Sequence, residues 1–255
     1  MVPRTRCFGQ SLNTGPMYCN HLNPKLQWVR VTLLDINETA GKTLKEALNK
    51  QYGEKRSLFF KCNVQSEEQI KAAFQSTVDT FGGIDIVCNN AGILNEKQWE
   101  KTVSVNVVGL IRVSYVALEY MNKLNGGKGG TIINVASVAG LTPVPSCPVY
   151  TATKHAVIGF TRAMATASSA SGYGLCFNAV CPSLVKTDLF ASITDNLGQF
   201  SHLLYSTQNP AVERAMNPSE VAECVFELVT GEAKNGEILM KKESMKKYMT
   251  FPTLI

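Results

Sequence analysis

Tyr150 and Lys154 stand four residues apart, and Ser137 precedes the tyrosine by thirteen. A separation of four puts two side chains on one face of a helix. A free phenol, with a pKa of about 10, is a poor base at neutral pH. A lysine ammonium beside it favours the phenolate and lowers that value. A serine hydroxyl within reach can hydrogen-bond a substrate hydroxyl or carbonyl and orient it. Such a trio can take a hydroxyl proton while hydride leaves the adjoining carbon. The pair alone is a weak signal, because a chain with eight tyrosines and many lysines yields one Tyr-x-x-x-Lys by chance. Its setting strengthens it. Ser137 follows an apolar run at 131–136, and Asn89-Asn90-Ala91-Gly92 closes an earlier run at 84–88.

The elements that must carry these residues alternate from about residue 28 onward. Val29, Val31 and Leu33 alternate with polar neighbours up to Asp35, as in a strand. Leu44, Ala47, Leu48 and Gln51 continue as an amphipathic helix, and 58–60 is a short strand. Ser66 with Gln69 fits a capping box, and Ile70, Ala73, Phe74, Val78 and Phe81 then line one helical face up to Gly82-Gly83. A strand at 84–88, a long helix at 98–124, the strand at 131–136, a helix at 149–170 and a strand at 175–181 follow. Asn217-Pro218 opens another helix, with proline at its first position, and a last strand falls near 237–240. This alternation predicts a single α/β domain over 1–255: a doubly wound, Rossmann-like parallel sheet in three layers. Within it 1–27 is atypical, 28–240 is regular and 241–255 is a solvated C-terminal tail rich in lysine.

A chain of 255 residues, 45% hydrophobic, can bury a sizeable core. No run of about 18 apolar residues free of charge is present, so no membrane span is expected. The start lacks the apolar segment of a secretion signal. Eight cysteines at irregular spacing form no C-x-x-C pair, and several lie inside apolar strands. They read as buried reduced thiols of a cytoplasmic protein. Three scattered histidines offer no metal-ligand spacing. Of the net charge of +5, residues 1–34 carry +4 through Arg4, Arg6, Lys25 and Arg30. That is no nucleic-acid footprint. An acid-poor start is one trait of a mitochondrial transit peptide, but Pro3, Pro16 and Pro24 break an amphipathic helix.

The combination resembles the short-chain dehydrogenase/reductase family from about Val31 to Met240. It is carried by Asn89-Asn90-Ala91-Gly92, Asn106 within 104–109, Ser137, Tyr150 to Lys154, and Cys181-Pro182-Ser183 running to Thr187. The resemblance implies Tyr150 as acid/base, Lys154 on the nicotinamide ribose, Ser137 on the substrate oxygen and Asn106 holding a relay water. It implies NAD contacts at Asp35, Ile36, Cys62, Asn63, Val64, Asn90, Tyr150, Lys154, Val185, Lys186 and Thr187. It implies a homodimer through the helices at 98–124 and 149–170. Segments 95–102, 120–130 and 139–144 resemble members that oxidise the secondary alcohol of a lipid, a 15-hydroxyprostaglandin to its 15-keto product. On that likeness Cys147 faces substrate, where a glutamine is usual. Ser183 replaces the usual glycine, and Asn63 an adenine-contacting aspartate. The apolar residues Leu184, Leu189, Phe190, Ile193, Leu197, Phe200, Leu203 and Leu204 read equally as a substrate lid or as core. Asp35 can accept hydrogen bonds from ribose hydroxyls and repel a 2′-phosphate, favouring NAD over NADP; the plainer alternative is a solvent-facing strand end.

The N-terminus departs from the pattern. A Thr-Gly-x-x-x-Gly-x-Gly turn between a strand and a helix should precede Asp35, and only Thr14-Gly15 echoes it. Those glycines let backbone N–H groups approach a pyrophosphate at a helix N-terminus, and Pro16 and Pro24 oppose that helix. The first strand and Gly-rich loop therefore read as missing or replaced. Because the first strand is central in this topology, its loss should leave a gap of roughly 10 Å in the sheet. The rival to an active enzyme is a non-catalytic variant of the same fold that cannot bind NAD. Loss of two charge-assisted bonds to the pyrophosphate, at about 1.5–3 kcal/mol each, weakens binding by at least ~100-fold. Calorimetric titration should show that difference between this chain and a version with a Gly-rich strand–loop–helix grafted before Asp35. Micromolar NAD binding by the folded chain as it stands would overturn the expectation.

Overall fold

The computed structural model describes residues 29–204, 215–231 and 234–252, together with the backbone of 6–10. In chain order the main elements are β1 (Arg6–Gln10), β2 (Arg30–Asp35), α1 (Glu38–Tyr52), β3 (Ser57–Lys61), α2 (Glu67–Phe81) and β4 (Ile86–Asn89). Then come α3 (Trp99–Val103), α4 (Leu110–Met121), β5 (Gly130–Val135), α5 (Pro148–Ala170) and β6 (Leu175–Pro182). The chain closes with α6 (Asp188–Ala191), α7 (Ile193–Asn196), α8 (Pro218–Thr230), β7 (Ile238–Lys242) and β8 (Met245–Tyr248).

The strands form one sheet in the order β3-β2-β1-β4-β5-β6-β7-β8. The first seven are mutually parallel, and β8 pairs antiparallel with β7. Period-two alternation sorts the side chains between two helical layers. Leu34, Val87 and Ile132 face α2 and α4 in the largest core cluster. Val31 and Leu33 face Leu44 and Leu48 of α1, while Cys88, Ile133 and Val180 face Val221, Cys224 and Leu228 of α8. The expected three-layer α/β architecture is therefore present.

The expected central gap is not. Arg6–Gln10 occupies the central slot, with Cys7 opposite Val31 on one side and Ile86 on the other. Strand pairing uses backbone groups, so a five-residue segment without proline can fill the position whatever its side chains. Residues 11–28, where the Gly-rich loop was sought, lie outside the described residues. At the other end, the lysine-rich stretch expected to be a tail forms the β7–β8 hairpin. A two-residue turn with Glu243 at φ 46° connects the strands. Lys246 and Lys247 sit on the sheet edge, where charge opposes further pairing.

Helix boundaries follow local chemistry. Ser66 accepts from Gln69 N at 3.3 Å at the start of α2, but Gln69 Oε1 accepts from Asn63 N at 2.8 Å, so only half of the expected capping box forms. Glu220 accepts from Asn217 N at 2.9 Å before α8. The helix expected over 98–124 is divided: a wider π turn, Ser104–Gly109, separates α3 from α4. By length and composition alone the run Trp99–Met121 is apolar enough to cross a membrane, which the sequence pattern did not flag. Half of it is buried inside the fold, with α4 packed on α2 and the π turn on α5, as in a core helix.

A polar ladder crosses this core. Asn89 Nδ2 donates to Asn134 Oδ1 at 2.9 Å and to Ser114 Oγ at 3.0 Å, and Asn134 Nδ2 donates to Thr161 Oγ1 at 2.8 Å. It links β4, β5, α4 and α5 beneath the strand ends, and all four side chains are buried. Asn134→Ala should cost about 2–4 kcal/mol, from buried groups left unpaired and the cavity created. Urea unfolding would show it, and a loss under 0.5 kcal/mol would mean that the ladder is not a stabilising element.

Candidate active site

Parallel strands bring their carboxyl ends to one edge of the sheet, and ligand sites of such sheets lie in the crevice outside it. Here that edge carries Asp35 after β2, Cys62 to Val64 after β3, Asn90 after β4, Ser137 after β5 and Pro182 to Thr187 after β6. The N-terminal turns of α5 bring Tyr150 and Lys154 to it. Asn90, Ser137, Cys147, Tyr150, Lys154, Val185 and Thr187 all line one cleft. Seven of the expected positions thus meet in one cleft.

Lys154 is 6% exposed, and its Nζ donates to Val135 O at 2.9 Å. Burial disfavours its charged form and lowers its pKa to about 8. Nζ lies 5.5 Å from the centre of the Tyr150 ring. The phenol itself is not lowered as expected. The apolar surroundings of Leu94, Cys147 and Leu197 push its pKa above the ordinary value, and a hydrogen bond from Ser137 opposes that rise. Desolvation is therefore the dominant influence on the phenol in this arrangement. The backbone sets Lys154 tightly: a Cβ on Gly140 would lie 2.5 Å from Lys154 O, so only glycine lets the turn after β5 meet α5. Gly92 lies across the cleft, where an added Cβ would stand 3.6 Å from Nζ.

Asn106 does not point donors into the cleft. Its Nδ2 donates to Ile93 O at 2.8 Å and to Thr153 Oγ1 at 3.1 Å, and its Oδ1 accepts from Ile93 N at 2.8 Å. Both amide N–H groups are thus committed to holding the turn after Asn90 against α5. Asp35 is 4% exposed, not a solvent-facing strand end, and its Oδ1 accepts from Asn37 N at 2.7 Å. Cys62 is buried and donates its N–H to Asp35 O, which joins the ends of β2 and β3; Ile36 beside them is exposed. Asn63 Oδ1 accepts from Gln65 N at 3.0 Å. Val64 packs under Gly109, where any Cβ would lie 2.7 Å away. These five lie further along the same edge and do not line the cleft, and Lys186 is exposed outside it.

The apolar segment after β6 divides between lid and core. Leu184, Leu189, Phe190 and Ile193 line the cleft, Leu197 is buried against Cys147 and Leu94, Leu204 packs on that cluster, and Phe200 and Leu203 are exposed. Thr187 caps α6 by accepting from Phe190 N at 3.4 Å. Burial pushes the Cys147 thiol up to about 11, so it faces the cleft as a neutral group. Two contributors lie in segments that carry the family resemblance but had no role assigned from sequence: Gly140, whose need is a contact rather than a turn, and Glu96, whose carboxylate accepts from Tyr150 N at 2.8 Å.

The residues around Lys154 suit a ligand with adjacent hydroxyls. An ammonium has three donors, and its hydrogen bond to Val135 O uses one, leaving donor capacity at the cleft wall beside Asn90 and Ser137. A nucleoside ribose offers acceptors of that kind.

Known proteins share sequence and fold with this chain. The short chain dehydrogenase family matches residues 26–198. The chain is 41% identical over 219 residues to a 15-hydroxyprostaglandin dehydrogenase [NAD(+)] of Rattus norvegicus, covering 84% of this chain and 82% of that protein. It is 40% identical over 220 residues to the Homo sapiens protein of the same name, with 84% and 82% covered. Among solved structures, an actinorhodin polyketide ketoreductase with NADPH superposes with a TM-score of 0.81 at 25% identity, covering 96% of this chain and 98% of that one.

The buried ammonium makes stability depend on pH. Between about pH 8 and 10.5 the unfolded chain still holds a proton that folded Lys154 has released, so stability rises with pH across that window. Below it the folded chain bears the full cost of the buried charge, about 3 kcal/mol. Lys154→Met should therefore raise stability at pH 7 and abolish this part of the rise, as read by urea unfolding at several pH values. A variant less stable than the parent at pH 7 would refute it.

Proposed function

The chain belongs to the short-chain dehydrogenase family, and from that premise we propose that it is an NAD-dependent oxidoreductase acting on the secondary alcohol of a lipid, a 15-hydroxyprostaglandin being oxidised to its 15-keto product. The observation that carries this reading is the meeting of Ser137, Tyr150 and Lys154 in one cleft under an apolar lid. The 15-hydroxyprostaglandin dehydrogenases at 40–41% identity support the substrate class.

In this reading Ser137 donates a hydrogen bond to the substrate oxygen and fixes the carbinol carbon. Tyr150, as the phenolate, takes the hydroxyl proton at its oxygen and becomes a neutral phenol. Lys154 stabilises that phenolate before the transfer and holds ribose hydroxyls with its remaining donors. NAD, when bound, supplies the hydride acceptor. Asp35 meets the adenosine ribose and disfavours a 2′-phosphate, with Ile36, Cys62, Asn63 and Val64 around the adenine and Asn90, Val185, Lys186 and Thr187 along the nicotinamide half. Asn106 serves by clamping the Ile93 backbone. Leu189, Phe190 and Ile193 exclude water and cover the lipid chain. The cleft side of Cys147 meets substrate. We assign the protein to the cytoplasm, on cysteine thiols such as Cys181 and Cys224 buried in the core. We assign a homodimer through the helices at 98–124 and 149–170, on the exposure of Trp99, Val108 and Tyr115 along the first of these segments. The rival reading, a fold unable to hold NAD, is favoured by one observation only, the lack of glycines after Gly15 before Asp35.

Tyr150→Phe removes only the phenol oxygen. It should lower oxidation of a 15-hydroxyprostaglandin with NAD by at least ~100-fold, measured by appearance of reduced cofactor, with NAD affinity and circular dichroism unchanged. Activity above a few per cent of the parent would remove Tyr150 from the chemistry. No turnover by the parent chain, folded and saturated with NAD, would remove the proposal.

A further inference from the structure

We infer that Glu96 is a positioning residue that ties the substrate lid to the catalytic tyrosine; this rests on the reading of Tyr150 given above. The first N–H groups of a helix need acceptors from outside it. Cys147, at the cap position of α5, makes no side-chain cap bond. The carboxylate of Glu96 takes that role from a different segment, accepting from Val149 N at 3.1 Å and Tyr150 N at 2.8 Å. A carboxylate there is also favoured by the helix dipole. Tyr150, whose phenol faces the cleft, is thus held at its backbone by Glu96.

The main chain of the same residue belongs to the lid. Glu96 N donates to Asn196 O at 2.8 Å, at the end of α7. Its neighbours repeat the attachment: Asn95 Nδ2 donates to Asn196 Oδ1 at 3.2 Å, and Lys97 Nζ to Asp195 O at 2.7 Å. Gly198 packs so closely that an added Cβ would lie 3.3 Å from Glu96 Cβ. On its far side the strap is fixed to α3, where Thr102 Oγ1 donates to Asn95 O at 2.7 Å and Gln98 N donates to Asn95 Oδ1 at 2.9 Å. Leu94, just before it, is buried between Cys147 and Leu197. A strap anchored to α3 carries the seat of the lid on its backbone and the seat of Tyr150 on one side chain. Settling of α6 and α7, which bring Leu189, Phe190 and Ile193 over the cleft, is therefore transmitted to the tyrosine through one carboxylate.

The test uses Glu96→Ala, Glu96→Gln and the lid-releasing pair Lys97→Met/Asn196→Ala in the full chain. Glu96→Ala should lower kcat about 10- to 100-fold, the scale of a small misplacement of a reacting group, with KM for the alcohol changed less than 3-fold (roughly, as for an interaction made mainly in the transition state). Glu96→Gln, which keeps one acceptor, should restore part of kcat. The lid pair should lower kcat in the parent and add nothing to Glu96→Ala. Independently of turnover, amide hydrogen exchange at Val149 and Tyr150 should speed up in both Glu96→Ala and the lid pair. Unchanged kcat in a stable Glu96→Ala protein, full additivity, or exchange at 149–150 untouched by the lid pair would each overturn the inference. If the parent itself proves inactive, the proposed function falls, and the exchange experiment still decides whether lid and tyrosine are linked.

Discussion

The site depends on keeping one ammonium group out of water. Among the described residues Lys154 gains a single hydrogen bond, to Val135 O, and burial of its charge is unfavourable. The surroundings have to hold it there against that cost. Gly140 lets the chain after β5 lie directly on α5, Asn106 clamps the turn after Asn90 from behind, and the Asn89–Asn134–Thr161 ladder fixes the strand ends to the helix. Their arrangement makes sense as support for a charge whose unused donors face the cleft, where a ligand can complete the shell.

Local rules made much of this legible. Four-residue spacing put Tyr150 and Lys154 on one helical face, and apolar runs ending in polar residues located the strand ends that carry Asn90 and Ser137. Period-two and period-3.6 patterns gave the layers. What stayed hidden depends on partners remote in sequence. Arg6–Gln10 lacks the apolar run of a buried parallel strand, yet two neighbours with open backbone groups seat it. The β8 strand is a lysine-rich edge that only β7 defines. The π turn at Ser104–Gly109 keeps a helical sequence pattern. Glu96 caps a helix more than fifty residues away, a relation no spacing rule contains. The direction of the Tyr150 shift was misjudged because pair charge was visible in the sequence while desolvation was not.

The presence of β1 separates two properties that the N-terminal sequence had joined. Filling the centre of the sheet requires backbone donors and acceptors in register, and almost any short segment supplies them. Binding a pyrophosphate requires backbone to approach the ligand closely, and that depends on residues without Cβ atoms. A chain can keep the first while weakening the second.

Substrate choice follows the same logic of what a wall fails to offer. The cleft beyond Ser137 and Tyr150 is bounded by Leu189, Phe190, Ile193 and a neutral thiol at Cys147. Apolar walls discriminate weakly between chains that differ by a methylene, whereas a wall built to hydrogen-bond rejects ligands lacking the matching group far more strongly. An amide at 147 would impose that second kind of selection on the carbinol, because leaving its donor and acceptor unpaired on binding is costly. A thiol is a weak donor and a weak acceptor, so little is lost when it goes unmatched. In the proposed reaction, discrimination at the reacting carbon then falls to Ser137 and Tyr150, and fit along the chain falls to the lid that, on the inference above, Glu96 seats. On that reading a thiol at 147 lets the cleft select for the length and apolarity of an alcohol more than for the pattern of polar groups around its carbinol carbon.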